Sequence, residues 1–382
     1  MPVYLDNAAT SFPKPEVVYC AADQFMREIG VSAGRGAYKQ ALEADKIIYE
    51  TRKSLATLFN VKDVSRIIFT FNVTDSLNLA IKGLLNPGDH VITSSMEHNA
   101  VWRPLKVLQQ EKGISITAVQ CKWDGVLEPQ KVREAITKKT KLIVLIHASN
   151  VTGIVMPIAE VGKIARESNV PFLVDAAQTA GLYPIDVQDM NIDLLAFTGH
   201  KGLMGPMGTG GLYIREGIMV KPLKEGGTGG DSILEFQPAS LPDRYEAGTP
   251  NVSGIAGLGA AAKFILNEGV EKIHTKEAAL TGYTLRKLSE VDGITVYGHG
   301  DINERVGVIS LNIMDLNPQK VGHILDEKYG IMVRTGLHCA PCAHRTIGTI
   351  DGGTIRIGLG YFNTEADIDT FVEAVNDIIR TC

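Results

Sequence analysis

Asp193-Leu-Leu-Ala-Phe-Thr-Gly-His-Lys201-Gly-Leu-Met-Gly-Pro-Met-Gly-Thr-Gly-Gly-Leu-Tyr213 is the stretch on which the fold turns. Its apolar run from Leu194 to Phe197 predicts a buried strand, which empties into Thr198-Gly199-His200-Lys201. A glycine-rich turn and a second apolar run, Gly211 to Ile214, follow. A lysine just past a buried strand is costly unless something uses it, because the free side chain has a pKa near ~10.4 and stays protonated at neutral pH. At such a position it is solvated, ion-paired, or condensed with an aldehyde as a Schiff base. The stretch alone leaves these readings open.

Outward from it, the chain alternates strands and helices from residue 66 onward, the mark of a mostly parallel sheet. Strands are predicted at 66–71, 90–94, 115–119, 141–146, 172–175 and 194–198. Asn72-Val-Thr-Asp-Ser76 reads as a turn, with Thr74 near a helix N-cap and a helix over 77–85. Polar residues collect just after the strands: Thr74, His98, Asn150, Asp175 with Gln178, and His200 with Lys201. In open α/β sheets ligands sit outside the carboxyl ends of the strands, so these positions are expected to converge.

Before the alternation, the N-terminal segment 1–14 leads into helices over 16–29 and 40–59, joined by a glycine-bearing loop, 30–36, that carries Arg35. Beyond the glycine-rich 226–230 a long helix runs to about 267. The remainder mixes helices (271–290, 318–329, 364–380) with strands (306–312, 332–334, 354–357), and reads as a smaller α+β domain. The fold class is therefore α/β, a mostly parallel seven-stranded-type sheet flanked by helices. The expected division is a large domain over 15–255 and a small C-terminal domain over 256–382, because 382 residues exceed a comfortable single core.

Composition narrows the function. Hydrophobic content of 45% and charge of 21% are those of a globular enzyme. A net charge of −5 without any basic block argues against nucleic acid. No apolar run reaches membrane-spanning length, and Met-Pro-Val-Tyr-Leu-Asp6 lacks a charged-then-apolar targeting pattern. Five cysteines, at 20, 121, 339, 342 and 382, are too scattered for a secreted disulfide framework. The expected compartment is cytoplasmic, with neither membrane nor nucleic-acid partners.

The polar residues suggest a chemistry. Asn72-Val-Thr-Asp-Ser76 offers free N–H groups and hydroxyls to a phosphate, or is an ordinary helix cap. A helix dipole contributes only about 0.3–1 kcal/mol, so a dianion needs further donors, for which Thr198, His200 and Thr249 are candidates. Asp175 ends a buried strand and needs a cationic partner: a protonated heteroaromatic nitrogen, a structural arginine or a cap. Gln178 and Asn150 could hydrogen-bond a phenolic oxygen, and His98 could stack on a flat ring or cap the next helix. An aldehyde-reactive lysine, an aspartate for a pyridinium nitrogen, donors for a phenolate and a phosphate cradle together describe pyridoxal 5'-phosphate.

The chain resembles the cysteine desulfurase and selenocysteine lyase family of the class V aminotransferase fold (fold type I). The resemblance runs from Leu5-Asp-Asn-Ala-Ala9 to Tyr361-Phe-Asn-Thr364 and includes Glu97-His98, His147-Ala-Ser-Asn150, Asp175-Ala-Ala-Gln178, Thr198-Gly-His-Lys201, Glu246-Ala-Gly-Thr-Pro-Asn251 and Arg334-Thr-Gly-Leu-His-Cys339. It implies Lys201 as the Schiff-base lysine, Asp175 on the ring nitrogen, Gln178 and Asn150 near the phenolic oxygen, and His98 over the ring. It implies Thr74, Thr198 and His200 on the phosphate, Thr249 reaching it from the partner subunit of a homodimer, and Arg356 and Arg334 on the substrate carboxylate beside Asn150. Cys339 is the implied catalytic thiol, attacking the sulfur of L-cysteine to leave L-alanine and a persulfide for a protein sulfur acceptor.

By the same resemblance, the short Cys339 region places the chain nearer the group that overlaps selenocysteine lyases, so L-selenocysteine is the alternative substrate. Another class V aminotransferase activity is a second alternative, and it would leave Cys339 without a role. Two departures stand out. Cys339-Ala-Pro-Cys342 carries a second thiol, which read bare suggests a metal- or redox-binding segment, although no second Cys/His pair completes a ligand set and no metal is expected. Tyr38 stands where many relatives carry histidine.

Overall fold

The structure, a computed structural model, describes residues 2–34, 36–229, 232–298 and 302–381. Arg35, Gly230 and Cys382 lie outside the described residues. The strands are β1 (Val3–Tyr4), β2 (Ile67–Thr70), β3 (His90–Ser94), β4 (Ser115–Val119), β5 (Thr140–Ile146), β6 (Phe172–Asp175), β7 (Leu194–Thr198), β8 (Gly210–Ile214), β9 (Ile294–Tyr297), β10 (Val308–Ile313), β11 (Ile331–Met332), β12 (Arg334–Gly336) and β13 (Thr354–Gly358). The helices are α1 (Glu16–Gln24), α2 (Lys39–Leu58), α3 (Val73–Leu84), α4 (Asn99–Lys112), α5 (Pro129–Glu134), α6 (Ile158–Glu167), α7 (Val252–Glu268), α8 (Val270–Ser289), α9 (Pro318–Tyr329), α10 (Pro341–Thr346) and α11 (Glu365–Thr381).

Seven strands form the central sheet in the order β2-β8-β7-β6-β5-β3-β4, and only β8 runs antiparallel to its neighbours. Its inner strands β3, β6 and β7 are buried along their whole length, which is why they read as unbroken apolar runs. Alternation still sorts their side chains. Ile143, Leu145, Phe172, Val174, Leu195 and Phe197 enter one core, while Leu142, Val144, Leu173, Leu194 and Ala196 enter the core on the opposite face. Each fully buried Leu, Ile or Phe contributes roughly 1.5–3 kcal/mol, so the two cores hold the sheet between its helices.

The antiparallel sheet β12-β13-β10-β9 carries the C-terminal part, with α8, α9 and α11 packed against it around Ile309, Leu311, Ile357 and Phe371. The N-terminal segment joins the two regions. β1 pairs with β11, Asp6 bridges to Gly358, and the Ser11 N–H donates to the His200 carbonyl at 2.9 Å. Helix α7 packs along α1 and α2, and residue 255 lies within it.

Three differences from the sequence reading bear on the site. Helix α3 begins at Val73 rather than at 77, because the Asn72 side chain accepts from the Asp75 N–H at 3.0 Å and caps it there. Thr74 therefore lies in the first turn. The segment after Cys339 is not a plain loop: Pro341, with φ already set for a helix, opens the short α10. The strand expected over 332–334 is two, β11 and β12, which join different sheets.

Candidate active site

The glycine between Thr198 and His200 is there for want of space. A Cβ on Gly199 would meet Thr209 Oγ1 at 2.0 Å, so the backbone after β7 lies flat against the turn that precedes β8. The Gly199 N–H donates to the Thr209 carbonyl at 2.8 Å and the Gly205 N–H to the Gly199 carbonyl at 2.7 Å, which fixes the loop carrying Lys201. Lys201 is half-buried. Burial and the nearby Arg356 charge lower its ammonium to about 8, with Asp175 opposing.

Asp175 ends β6 one strand away and is 1% exposed. Its carboxylate accepts from the Ala177 N–H at 3.0 Å, and burial pushes it up to about 6 while Lys201 pulls it down. No ion pair engages it among the described residues. Thr198, at the end of β7, has an unpartnered buried hydroxyl. His200 likewise has an unpartnered Nδ1, and its ring is held neutral, lowered to about 4 by burial and the Lys201 charge. His98 begins α4, where its Nδ1 accepts from the Ala100 N–H at 3.0 Å; burial and Lys201 bring it to about 4. Thus His98 caps the next helix.

Asn150 and Gln178 are buried at the same strand ends. Asn150 Nδ2 donates to the His338 carbonyl at 2.7 Å and leaves its Oδ1 unpartnered. Gln178 Nε2 donates to the Ala8 carbonyl at 3.1 Å. The Lys201 charge acts on Asp175, His98 and His200, and Arg356 from the small sheet acts on Lys201 and His98. Thr74 and Thr249 are both exposed. Thr249 lines a cleft with Asp75, Thr209 and Lys224.

Arg334 and Arg356 face each other in the antiparallel register of β12 and β13. Asp6 bridges them, 2.8 Å from Arg356 Nη2 and 3.2 Å from Arg334 Nε. Arg356 also donates to the Asn150 carbonyl at 3.1 Å, yet its Nε is buried without a partner. Two guanidinium groups against one carboxylate leave a surplus positive charge beside Lys201.

Cys339 is exposed at the edge of this group, close enough for its charge to act on Arg356. It and His338 adopt φ of +56° and +48°, a strained pair for non-glycine residues. The turn is tied down by the Asn99 N–H donating to the Cys339 carbonyl at 2.8 Å and by Asn150 on His338. Cys342 is buried on α10. Among the described residues no three His, Cys, Asp or Glu side chains converge on a point that would hold a metal.

Sequence reasoning passed over three residues here. Asp6 lay inside the quoted Leu5-Asp-Asn stretch, but its pairing spans 350 residues, beyond any local periodicity. Glu97 is fully buried, accepts from Ser94 Oγ at 2.6 Å and from the Ile146 N–H at 3.1 Å, and is raised by burial to about 8. His338 is buried against Thr354 Oγ1 at 3.1 Å, and burial holds it neutral.

Sequence and fold both match known proteins. Residues 3–371 match the family Aminotransferase class-V. A probable cysteine desulfurase of Methanothermobacter thermautotrophicus is 35% identical over 98% of this chain and 94% of its own length. A cysteine desulfurase of Salmonella dublin is 33% identical over 99% and 93%. Among solved structures, the apo cysteine desulfurase of Thermococcus onnurineus superposes with a TM-score of 0.94 at 33% identity, covering 100% of this chain and 95% of that one. An S-sulfonic acid form of a cysteine desulfurase from Escherichia coli gives 0.90 at 29% identity, with the same coverage. The chain belongs to the class V aminotransferase family, among its cysteine desulfurases.

Proposed function

We propose that this enzyme converts L-cysteine to L-alanine with pyridoxal 5'-phosphate, carrying the released sulfur on Cys339 as a persulfide. The observation that carries the reading is the meeting of Lys201, Asp175 and the Arg334–Arg356 pair, with Cys339 exposed at their edge. The residues fit the cofactor. Asp175 is a buried carboxylate with no ion pair among the described residues, and Thr198 Oγ1, His200 Nδ1 and Asn150 Oδ1 are buried polar atoms without partners. Such atoms are expensive to leave unmatched: a protonated ring nitrogen would meet Asp175 and a phosphate would meet Thr198 and His200, whereas Asn150 Oδ1, an acceptor, is matched by a phenolic O–H and not by a phenolate.

When bound, that cofactor supplies an aldehyde carbon and a ring that delocalises the electron pair left on the substrate α-carbon. Lys201, lowered to about 8, is poised to take and return the proton at the α-carbon near neutral pH. Asp175 would hold a proton on the ring nitrogen, Asn150 and Gln178 would stand toward the phenolic oxygen, and His98, while its Nδ1 caps α4, would offer its ring face to the cofactor. Thr74, Thr198 and His200 would hold the phosphate, with Thr249 supplied by the second subunit of a homodimer. The surplus charge of Arg356 and Arg334 takes the substrate carboxylate.

Cys339 thiolate attacks the substrate sulfur and the Cβ–S bond breaks. A proton then reaches Cβ, so that L-cysteine and the thiol become L-alanine and Cys339–S–SH. The persulfide passes its outer sulfur to an acceptor protein. L-selenocysteine is the second substrate we propose, because selenium leaves carbon more readily than sulfur does. The large domain over 15–255, the small domain over 256–382 and a cytoplasmic location complete the reading. Among the described residues no helix is long and apolar enough to cross a membrane. The test is an absorbance spectrum of the purified protein, then alanine and sulfide or selenide assayed in parallel with the two substrates. Alanine from cysteine supports the reading, and 2-oxo acid-dependent turnover without sulfur release would replace it with a transamination.

A further inference from the structure

Cys342 has no part in the reaction above, yet it stands three residues on from the thiol that does, in the first turn of α10. Cys339 and Cys342 flank Ala340-Pro341, and Pro341 restricts the backbone between them. The Ala340 N–H donates to the Leu337 carbonyl at 2.8 Å, and the His344 N–H to the Ala340 carbonyl at 3.2 Å. The turn and the first turn of α10 are therefore continuous. Cys339 is exposed and Cys342 only 8% exposed. This asymmetry is the one expected of an attacking thiol that meets substrate and a second thiol held in reserve.

The surroundings of Cys342 bear on its reactivity. Burial raises its thiol, while Arg345, with Nη1 4.0 Å from the sulfur, favours the thiolate. Thr346 Oγ1 donates to the Cys342 carbonyl at 3.1 Å and to Ser95 Oγ at 2.9 Å, so α10 is anchored to the large sheet. The other described cysteines are placed differently: Cys20 is exposed on α1, and Cys121 is buried beside Ser95 with its thiol raised to about 11.

We propose that Cys342 is a resolving thiol that discharges the Cys339 persulfide inside the chain. The proposal rests on the persulfide reading of Cys339 given above. Cys342 thiolate attacks Cys339 Sγ, a Cys339–Cys342 disulfide forms, and the S–S bond of the persulfide breaks. The outer sulfur leaves with the electron pair as hydrosulfide, the conjugate base of a stronger acid than a thiol and so the better leaving group. The two cysteine thiols supply the two electrons that reduce sulfane sulfur to sulfide, and the Cys342 proton passes to solvent. An external dithiol then reduces the disulfide by thiol–disulfide exchange and returns both cysteines to the start. This chain would therefore release free sulfide once per turnover, with a dithiol requirement set by Cys342.

The experiment is a turnover of the reduced, cofactor-loaded enzyme under anaerobic conditions with less than one equivalent of L-cysteine and no added thiol. Alkylation follows, then mass analysis of the peptide spanning residues 335–345. Expected for the wild type are sulfide matching the alanine formed and a peptide lighter by two hydrogens. Expected for Cys342→Ser and for Cys342→Ala, which keeps the apolar packing, are a peptide heavier by one sulfur on Cys339 and no sulfide until dithiothreitol is added. A wild-type peptide that keeps the extra sulfur on Cys339, or carries it on Cys342, would overturn the proposal. Wild-type alanine with the sulfur still on Cys339 defeats the resolving role alone, whereas no wild-type alanine at all defeats the desulfurase reading with it.

Discussion

Burial acts on Lys201 and Asp175 in the same sense, against charge. It lowers the amine to about 8 and raises the carboxyl to about 6. Condensation with an aldehyde needs the neutral amine, and a ring nitrogen keeps its proton only over an ionised Asp175. Cofactor uptake by the apo protein is therefore expected to speed up from pH 6 to 8, followed by the absorbance of the bound form. A rate that falls over this range would contradict the assigned roles. Lys201→Ala should take up no covalently held cofactor at any pH. These two residues were legible because strand-end polar residues in an α/β alternation point to one place. Asp6 was not, since only the folded N-terminal segment brings it between Arg334 and Arg356.

At the scale of elements, the proposed function puts the substrate carboxylate where β12 pairs with β13. Arg334 and Arg356 are cross-strand partners, and one lysine in place of Arg356 would lose the planar fork. A charge-assisted hydrogen bond is worth roughly 1.5–3 kcal/mol, so Arg356→Lys should raise KM for cysteine about 10–100-fold and affect kcat less. Steady-state kinetics check this, and an unchanged KM would move the carboxylate elsewhere. Helix α8 carries a different kind of information in Glu277, which is buried with Oε2 unpartnered and raised from 4.5 to about 7. The folded state binds its proton more tightly than the unfolded chain. Its cost to stability is thus absent below the unfolded pKa and grows as pH rises through the window from 4.5 to about 7. Glu277→Gln should flatten that fall, with a gain of up to roughly 3 kcal/mol at pH 8 and little change at pH 4.5, read from melting curves across pH. The buried strands were legible because parallel strands are continuous apolar runs. The pairing of the two-residue β1 with β11 was not, because nothing in either segment points to a partner 328 residues away.

For the whole molecule, the exposed position of Thr249 matters most. Under the proposed function it is the residue that a second copy of the chain would bring to the phosphate, beside the unpartnered Thr198 and His200. Mixing Lys201→Ala with Thr249→Ala subunits should recover activity that neither has by itself, because a mixed dimer holds one intact site. Failure to recover, with dimers verified by sedimentation, would return Thr249 to its own subunit's cleft. The central claim is that Cys339 carries the sulfur, and it is tested most directly by alanine formation from L-cysteine in cofactor-loaded Cys339→Ala. The account predicts that alanine from cysteine is lost while the cofactor absorbance is retained. Alanine formed at the wild-type rate by that variant would contradict it.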